Sequence, residues 1–398
     1  MKGPSAALVV VLAGISAALH VGKLPPALPI LQGELGVTLV QAGFLLSLVQ
    51  LAGMTLGMAM GAAADALGGR RTMVAGLVVL AVAGALGGLA TTPGVLLTLR
   101  ACEGLGFLMA TLPAPALLRR LVEPGRLAGA LGLWGAYMPL GTAAGLLLGP
   151  AVIAATGWSG WWWLTAALSM VMALWLWRAL PAHCDTRAAT PVAAHRGRVA
   201  RTLRAPGPWL VSLAFAAYSA QWLAVIGFLP TVYAQSGLPA VYAAPATALV
   251  AAVNMMGNLA SGRALQRGLA PSRLLQAGYL AMAAGAIVAF APWSTSDGAA
   301  VAGARYAGVL VFSALGGLVP ATLFWLAVRL APDEATVSTT VGWVQQWSSI
   351  GQFAGPPLAA LVAQRTGDWS NTWLVTGALA GCGICIAFLI GRRVRGGP

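Results

Sequence analysis

Long apolar runs separated by short polar breaks occupy almost the whole chain. A helix that crosses a bilayer needs about 20 predominantly apolar residues, and a sheet with open edges cannot lie in hydrocarbon. The pattern therefore predicts an all-α membrane protein with twelve transmembrane helices, which we call spans 1 to 12. The predicted spans are 6–31, 41–63, 72–92, 94–117, 128–154, 161–180, 208–233, 241–262, 272–292, 302–328, 337–362 and 372–391.

The stretch 181–207 interrupts this pattern, because it is rich in Ala, Pro, Thr and Arg and has no apolar periodicity. We interpret it as a solvated cytoplasmic linker that lies near anionic lipid headgroups. It divides the chain into an N-terminal six-helix bundle, residues 1–180, and a C-terminal six-helix bundle, residues 208–398.

Composition agrees with a membrane location. Of the 398 residues, 59% are hydrophobic and 8% are charged, whereas a soluble domain averages about 25% charged residues. So few charges argue against a water-soluble enzyme, and so many apolar residues argue against a disordered chain.

The distribution of charge predicts topology. A net charge of +14 would indicate a nucleic-acid partner in a soluble protein. Here about 19 of the 23 Lys and Arg residues fall at alternate breaks between apolar runs, so we expect no nucleic-acid partner. Because cytoplasmic loops are enriched in Lys and Arg, both termini and the linker are predicted to be cytoplasmic, in a multi-pass protein of a bacterial inner membrane that we expect to be a monomer.

The two halves share weak internal similarity. A shift of 201 residues pairs Pro29 with Pro230 and Gly36 with Gly237. Further pairs are Met54–Met255 and Gly61–Gly262 at the same shift, and Gly132–Gly342, Gly141–Gly351 and Gly145–Gly355 at a shift of 210. Matches at equivalent helices are typical of a duplicated six-helix unit, and such halves enclose a midplane cavity in alternating-access transporters.

The loop between spans 2 and 3 carries Gly61, Asp65, Gly68, Arg70 and Arg71 in the spacing G-x-x-x-D-x-x-G-x-R-R. It resembles the loop signature of the major facilitator superfamily, although Ala66 stands where that family usually has a cation. The resemblance extends over essentially the whole chain and implies a twelve-helix secondary transporter. Within the superfamily, the sequence resembles the cyanate-transporter-like and unassigned bacterial branches.

These loop residues have two interpretations. A carboxylate at a helix end can accept backbone N–H groups and pair with an arginine, which predicts a cytoplasmic gate that holds the halves together when the cavity opens outward. Alternatively, Arg70 and Arg71 only anchor the topology.

Span 4 contains Arg100-x-x-Glu103-Gly104-x-Gly106, which resembles the span-4 motif R-x-x-q-G-x-g of the same superfamily. That resemblance implies a role for Arg100 in proton coupling, with Glu103 as a candidate proton carrier. The alternative is a purely structural pair, because side chains three residues apart lie on one helix face.

Span 1 contains His20 and Lys23, also three residues apart. Ionisable side chains at membrane depth are costly and are candidate functional groups. We expect both residues to face a cavity, with His20 as a second proton carrier and Lys23 as an anion contact. The alternative is a lysine that extends to the membrane surface and a hydrogen-bonded histidine.

Polar and aromatic side chains in other spans are candidate substrate contacts, although Asn and Gln also join helices to one another. The candidates are Trp134, Tyr137, Tyr218, Gln221, Trp222, Asn254, Gln345 and Gln346. By contrast, we expect Trp161, Trp162 and Trp163 to form an interfacial belt.

The glycine pattern of span 11, G-x8-G-x3-G-P from Gly342 to Pro356, resembles a pattern described for antiporters of the superfamily. It favours a helix interface and indicates the direction of transport only weakly.

The interior charges favour a small organic anion or polar neutral solute over a cation. No cofactor or metal site is expected: His183 and Cys184 have no neighbouring ligands, and Cys382 and Cys385 lie within an apolar run. We therefore expect not an enzyme but a transporter of a small solute, coupled to protons and working by alternating access. A multidrug efflux antiporter is the alternative, and a receptor with a transporter fold is a more distant one.

Overall fold

The computed structural model describes residues 4–123, 130, 133–181, 192–293, 298–333 and 336–395. Within these ranges the chain is helical and contains no strand. The helices are Pro4–Gly22, Leu28–Glu34, Leu39–Ser47, Leu51–Leu67, Gly69–Gly87, Pro93–Thr111, Ala114–Leu121, Tyr137–Ala179, Val192–Arg204, Pro206–Gln235, Ala240–Gln266, Pro271–Phe290, Ala299–Gly316, Leu318–Arg329, Val337–Thr366 and Thr372–Arg395. Single 3-10 turns stand at Pro25–Ala27 and Leu48–Gln50.

These helices confirm the twelve predicted spans. Ten helical segments in the described part of the chain are long and apolar enough to cross a membrane. One of them, Leu133–Ala179, contains spans 5 and 6. The backbone at Gly157 has φ 74° and ψ 171°, which is not helical, so the segment is two helices. The helix Val337–Thr366, which is 30 residues long and is not among these ten segments, supplies span 11.

Local sequence sets several helix ends. At the start of span 2, the side chain of Thr38 accepts the Gln41 backbone N–H, and the Gln41 side chain accepts the Thr38 backbone N–H. Such a reciprocal cap satisfies two donors that a helix start leaves free. Span 4 begins after Thr92, whose side chain accepts the N–H of Val95, with Pro93 at the first helical position.

Span 1 is broken where its prolines require it. The first helix ends at Gly22, and Pro25 and Pro26 have no N–H to continue the ladder. A 3-10 turn, Pro25–Ala27, connects it to the second helix, Leu28–Glu34. Lys23 stands at this break, with its backbone N–H still bonded to the Leu19 oxygen at 2.7 Å.

Glycines at positive φ support the duplication. The six glycines with positive φ in the described residues fall into three pairs, at the equivalent loops of the two halves. The pairs are Gly36–Gly237, Gly68–Gly268 and Gly157–Gly367. Positive φ strains every residue with a Cβ, so these positions keep glycine in both repeats for the same physical reason.

Close helix contacts repeat as well. A Cβ at Gly141 would lie 2.6 Å from the Ile15 oxygen, and one at Gly145 would lie 2.5 Å from the Gly22 carbonyl carbon, so span 5 packs tightly on span 1. In the second half, a Cβ at Gly351 would overlap the Ala216 backbone, which places span 11 equally close to span 7. Small residues permit such approaches in a membrane.

The chain forms two compact units, residues 1–192 with 229–248 and residues 193–228 with 249–398. In the first unit, span 1 packs on span 5, and span 3 packs on spans 4 and 6. In the second, span 9 packs on spans 10 and 12. The division at 180 and 208 stays a prediction.

The predicted linker is not entirely irregular. Its second part forms the helix Val192–Arg204, in which Thr202 is buried. Arg201 Nε pairs with Asp333 Oδ2 at 2.9 Å, and Trp209 Nε1 donates to the Leu203 oxygen at 2.8 Å. These contacts attach the helix to its own unit, a tertiary effect that composition did not indicate.

Glycine contacts between spans 9 and 10 generate a stability prediction. A Cβ at Gly308 would lie 2.8 Å from the Gly285 oxygen, whereas one at Gly303 of the same helix would meet nothing within 4 Å. We expect Gly308→Val to lower the free energy of unfolding by about 1–3 kcal/mol, because overpacking displaces backbone. Gly303→Val is the matched control and should be near neutral in thermal melts of the detergent-solubilised protein. Equal loss in both variants would contradict the proposed contact.

Candidate functional site

Four ionisable side chains predicted as candidates in spans 1 and 4 lie together inside the first unit. They are His20 and Lys23 of span 1 and Arg100 and Glu103 of span 4, and none is more than 1% exposed. The alternative in which Lys23 extends to the membrane surface is wrong, because its side chain is fully buried. We call these four residues the buried charge cluster.

Glu103 is the centre of this cluster. Its Oε1 accepts a hydrogen bond from Lys23 Nζ at 2.5 Å, and its Oε2 accepts one from Arg100 Nη1 at 2.5 Å. His20 Nδ1 lies 3.2 Å from both Glu103 Oε1 and Lys23 Nζ. Each carboxylate oxygen thus faces a cation, which offsets the cost of placing charge at this depth.

Arg100 also binds backbone that two helix irregularities leave available. Its Nη1 donates to the His20 oxygen at 2.7 Å, near the break in span 1. Its Nε donates to the Leu45 oxygen at 3.1 Å, just before the 3-10 turn Leu48–Gln50 in span 2. One guanidinium therefore joins spans 1, 2 and 4, while its Nη2 has no hydrogen-bond partner in the described part of the chain.

Three further residues complete the cluster, and the sequence reasoning missed them. Ser169 Oγ lies 2.8 Å from His20 Nε2, and the Trp162 ring centroid lies 4.8 Å from Lys23 Nζ. A Cβ at Gly84 would lie 3.2 Å from both Glu103 Oε1 and His20 Cε1, so a larger residue would crowd both side chains. Single Ser and Gly residues are common in membrane helices and carry no sequence signal of such a role.

The predicted tryptophan belt is wrong for two of its three members. Trp161 is 2% exposed and Trp162 is fully buried, while Trp163 is 48% exposed. Trp161 Nε1 donates to the Lys23 oxygen at 2.9 Å, a carbonyl at the break in span 1. Interior packing of span 6 against spans 1 and 3 therefore overrides the preference of Trp for the interface.

Candidate contacts in the second unit form a neutral polar network. Asn254 Nδ2 donates to Tyr218 Oη at 2.9 Å and to the Ser313 oxygen at 2.9 Å. Trp222 Nε1 donates to Ser313 Oγ at 3.4 Å. These bonds join spans 7, 8 and 10, as the alternative of interhelical attachment predicted.

The remaining candidates are dispersed. Gln221 is fully buried, and its Nε2 donates to the Ala217 oxygen at 3.0 Å within the same helix. Gln345 and Gln346 are half-buried on span 11. In the first unit, Trp134 and Tyr137 stack with ring centroids 4.3 Å apart. None of these residues belongs to the buried charge cluster.

The structure describes the predicted gate in part. Gly61 and Asp65 are described only by their backbone, within the helix Leu51–Leu67, and Gly132 of the predicted repeat lies outside the described residues. Gly68 has φ 93° and directly precedes span 3. Arg70 stacks on the Trp177 ring at 3.9 Å and donates from Nη2 to the Trp177 oxygen at 2.7 Å, whereas Arg71 is exposed. Arg70 thus binds the last turn of span 6, where helix carbonyls attract a cation.

Metal-ligating residues do not cluster in the described part of the chain: no group of three His, Cys, Asp or Glu could hold an ion there. Cys382 and Cys385 are exposed on span 12. His183 and Cys184 lie outside the described residues.

Comparison with known proteins bears on the family and the fold. A family model described as Major Facilitator Superfamily matches residues 6–345. The chain is similar to a bacterial homolog of the human lysosomal transporter Spinster, solved in inward-facing unoccupied and occupied conformations. The unoccupied structure gives a TM-score of 0.77 at 16% identity over 98% of this chain and 96% of that one. The occupied structure gives a TM-score of 0.75 at 16% identity over 97% of this chain and 96% of that one. Comparison with curated proteins gave no match.

The charge cluster predicts a large cost for removing its centre. Glu103→Gln leaves Lys23 and Arg100 buried without a counter-charge, and breaking a buried pair in this way costs about 3–5 kcal/mol. We expect a correspondingly lower melting temperature in detergent. Glu34→Gln is the control, since Glu34 is an exposed carboxylate that accepts from Trp158 Nε1 at 2.9 Å. A Glu103 variant as stable as this control would exclude a role for Glu103 in holding the cluster together.

The Arg70 contact predicts a difference between neighbouring arginines. Arg70→Lys keeps the charge but loses the planar group that stacks on Trp177, so we expect a loss of about 1–2 kcal/mol. Arg71→Lys, at an exposed position, should be near neutral. Thermal melts of the two variants measure the difference, and identical melting temperatures would argue that the stacking contributes nothing.

Proposed function

The chain belongs to the major facilitator superfamily, and we propose that it carries a small organic anion across a bacterial inner membrane in exchange for, or together with, protons. Membership makes it a multi-pass secondary transporter that works by alternating access, and not an enzyme. Substrate class, proton coupling and location are the proposal.

One observation carries the proposal: the buried charge cluster contains two cationic side chains and one carboxylate. Such groups are costly at membrane depth and mark substrate or proton pathways. An excess of cationic side chains favours an anion as the solute, whereas a cationic drug would need an unpaired carboxylate.

The same geometry supports the coupling of anion transport to protons. Glu103 pairs with both cations in this state, so an anion that takes its place on Lys23 Nζ and Arg100 Nη1 must displace its carboxylate. A displaced buried carboxylate is stabilised by taking up a proton, because an unpaired charge is expensive there. Anion binding and proton uptake would then favour each other, and by linkage each raises the affinity for the other by the same factor.

His20 is the second candidate proton carrier. Its Nδ1 lies against Lys23 and Glu103, and its Nε2 lies against Ser169, whose hydroxyl can donate or accept. The ring can therefore hold its proton on either nitrogen, because Nδ1 donates to Glu103 when it is protonated and accepts from Lys23 when it is not. This freedom supports a role in moving a proton at Glu103.

Topology belongs to the same proposal. The concentration of Lys and Arg at alternate breaks supports cytoplasmic termini and a cytoplasmic linker. We propose a monomer, since one chain carries both six-helix repeats.

A multidrug antiporter remains the second candidate, on the strength of the span-11 glycine pattern. The structure offers a packing reason for that pattern, because Gly351 and Gly355 lie against the backbone of Ala216 and Ala220. Close packing accounts for the glycines in either kind of transporter, so the anion carrier is the better-supported function.

Uptake into sealed proteoliposomes tests the proposal. With a panel of small organic anions and cationic dyes, we expect the wild type to accumulate an anion in response to a pH gradient. Glu103→Gln should lose the dependence on the gradient, and Lys23→Ala should lose uptake. The exposed-carboxylate variant Glu34→Gln should transport normally. If only dyes are transported and Lys23→Ala leaves dye transport unchanged, the protein is better explained as an efflux antiporter than as an anion carrier.

A further inference from the structure

The guanidinium of Arg100 is only partly satisfied. Nε and Nη1 donate to Leu45, His20 and Glu103, as described above. Nη2 has no hydrogen-bond partner among the described residues, and Arg100 is only 1% exposed. A buried donor without an acceptor costs about 1–3 kcal/mol, and more when it is charged. A ligand that supplies the acceptor would remove this cost.

The net charge of the cluster also indicates that an acceptor is missing. Lys23 and Arg100 carry two positive charges and Glu103 carries one negative charge, while His20 is neutral when its ring holds one proton. The cluster therefore has an uncompensated positive charge inside the membrane. Either a proton must leave Lys23 or an anion must enter to neutralise it.

We propose that Nη2 of Arg100 is the anchoring point for a small monoanion, either a halide or a single carboxylate group. The other two guanidinium nitrogens already donate, so Nη2 offers a one-point contact and not the bidentate fork that selects phosphate. The inference rests on the proposed anion transport and deepens it: Arg100, and not the fully paired Lys23, makes the first contact with the anion.

Neighbouring groups fit this assignment. Trp162, whose ring centroid lies 4.8 Å from Lys23 Nζ, carries at Nε1 a second buried donor that has no partner among the described residues. Unmatched donors next to an excess of positive charge favour an anion over a water molecule, because a water molecule supplies acceptors but no charge.

Thermal stability of the purified wild-type protein in detergent measures binding independently of transport. The probes are chloride and formate, each titrated at constant ionic strength against gluconate, which is much larger. A ligand that binds only the folded state stabilises it in a saturable manner. We expect a saturable rise of about 3 °C with chloride, formate or both. Chloride alone indicates an inorganic counter-ion, and formate indicates a carboxylate site. A response to neither, or one that rises without saturation, overturns the proposal.

Variants assign the response to Nη2. Arg100→Lys keeps a positive charge but has a single terminal nitrogen, so the anion response should disappear. Arg305→Lys is the matched control, since Arg305 is also within a span and donates from Nη1 to the Ala289 oxygen at 3.0 Å; its response should equal that of the wild type. Glu103→Gln adds to the excess of positive charge and should respond at lower anion concentration. An unchanged response in Arg100→Lys would place the anion elsewhere.

The two proposals can fail separately. A saturable response lost in Arg100→Lys, without any anion uptake in proteoliposomes, would support the anion site and refute the transported substrate. Anion uptake without a stability response would leave the proposed function intact and overturn the role of Nη2. If Arg100→Lys does not fold, the wild-type titration and the shifted response of Glu103→Gln still decide the question.

Discussion

The interaction on which the first unit depends is the pairing of one carboxylate with two cations at membrane depth. Glu103 has Lys23 on one oxygen and Arg100 on the other. In lipid there is no water to take over from a lost partner, so the three side chains can be accommodated only as a set. Their positions come from different helices, and the pairing therefore constrains how spans 1 and 4 pack.

Helix irregularity makes this arrangement possible. Prolines break span 1 next to Lys23, and the carbonyls of His20 and Lys23 are taken by Arg100 and Trp161. Irregular backbone at membrane depth is tolerated where protein groups satisfy it. The break is thus stabilised by Arg100 of the cluster and by Trp161, so a rearrangement of the cluster would change the contacts that hold span 1 in this shape. Under the proposed function, these contacts connect the binding of a proton or an anion to the geometry of span 1.

Sequence patterns predicted the elements and the chemistry of the site, but not its connections. Hydropathy located twelve spans because length and apolarity are local properties, and the spacing of Arg100 and Glu103 gave one ion pair because they share a helix face. That Lys23 is buried on Glu103, and that Ser169 and Trp162 complete the cluster, depends on how spans 1, 4 and 6 pack. Such contacts between distant residues depend on how closely side chains approach the helix backbone at glycines such as Gly84. A single sequence does not contain these distances. The same reason explains why the burial of Trp161 and Trp162 contradicted their expected interfacial position.

The two repeats share a backbone plan but differ in chemistry. A shift of 201 residues places His20 on Gln221 and Lys23 on Ala224. Where span 1 meets span 4 through ionisable groups, span 7 meets span 10 through Trp222 and Ser313, which are neutral. Neutral hydrogen bonds join helices without responding to pH, whereas a carboxylate between two cations changes its partners when it gains a proton. The duplicated fold therefore places the buried charge cluster in one repeat, whereas the contact between spans 7 and 10 in the other repeat is neutral.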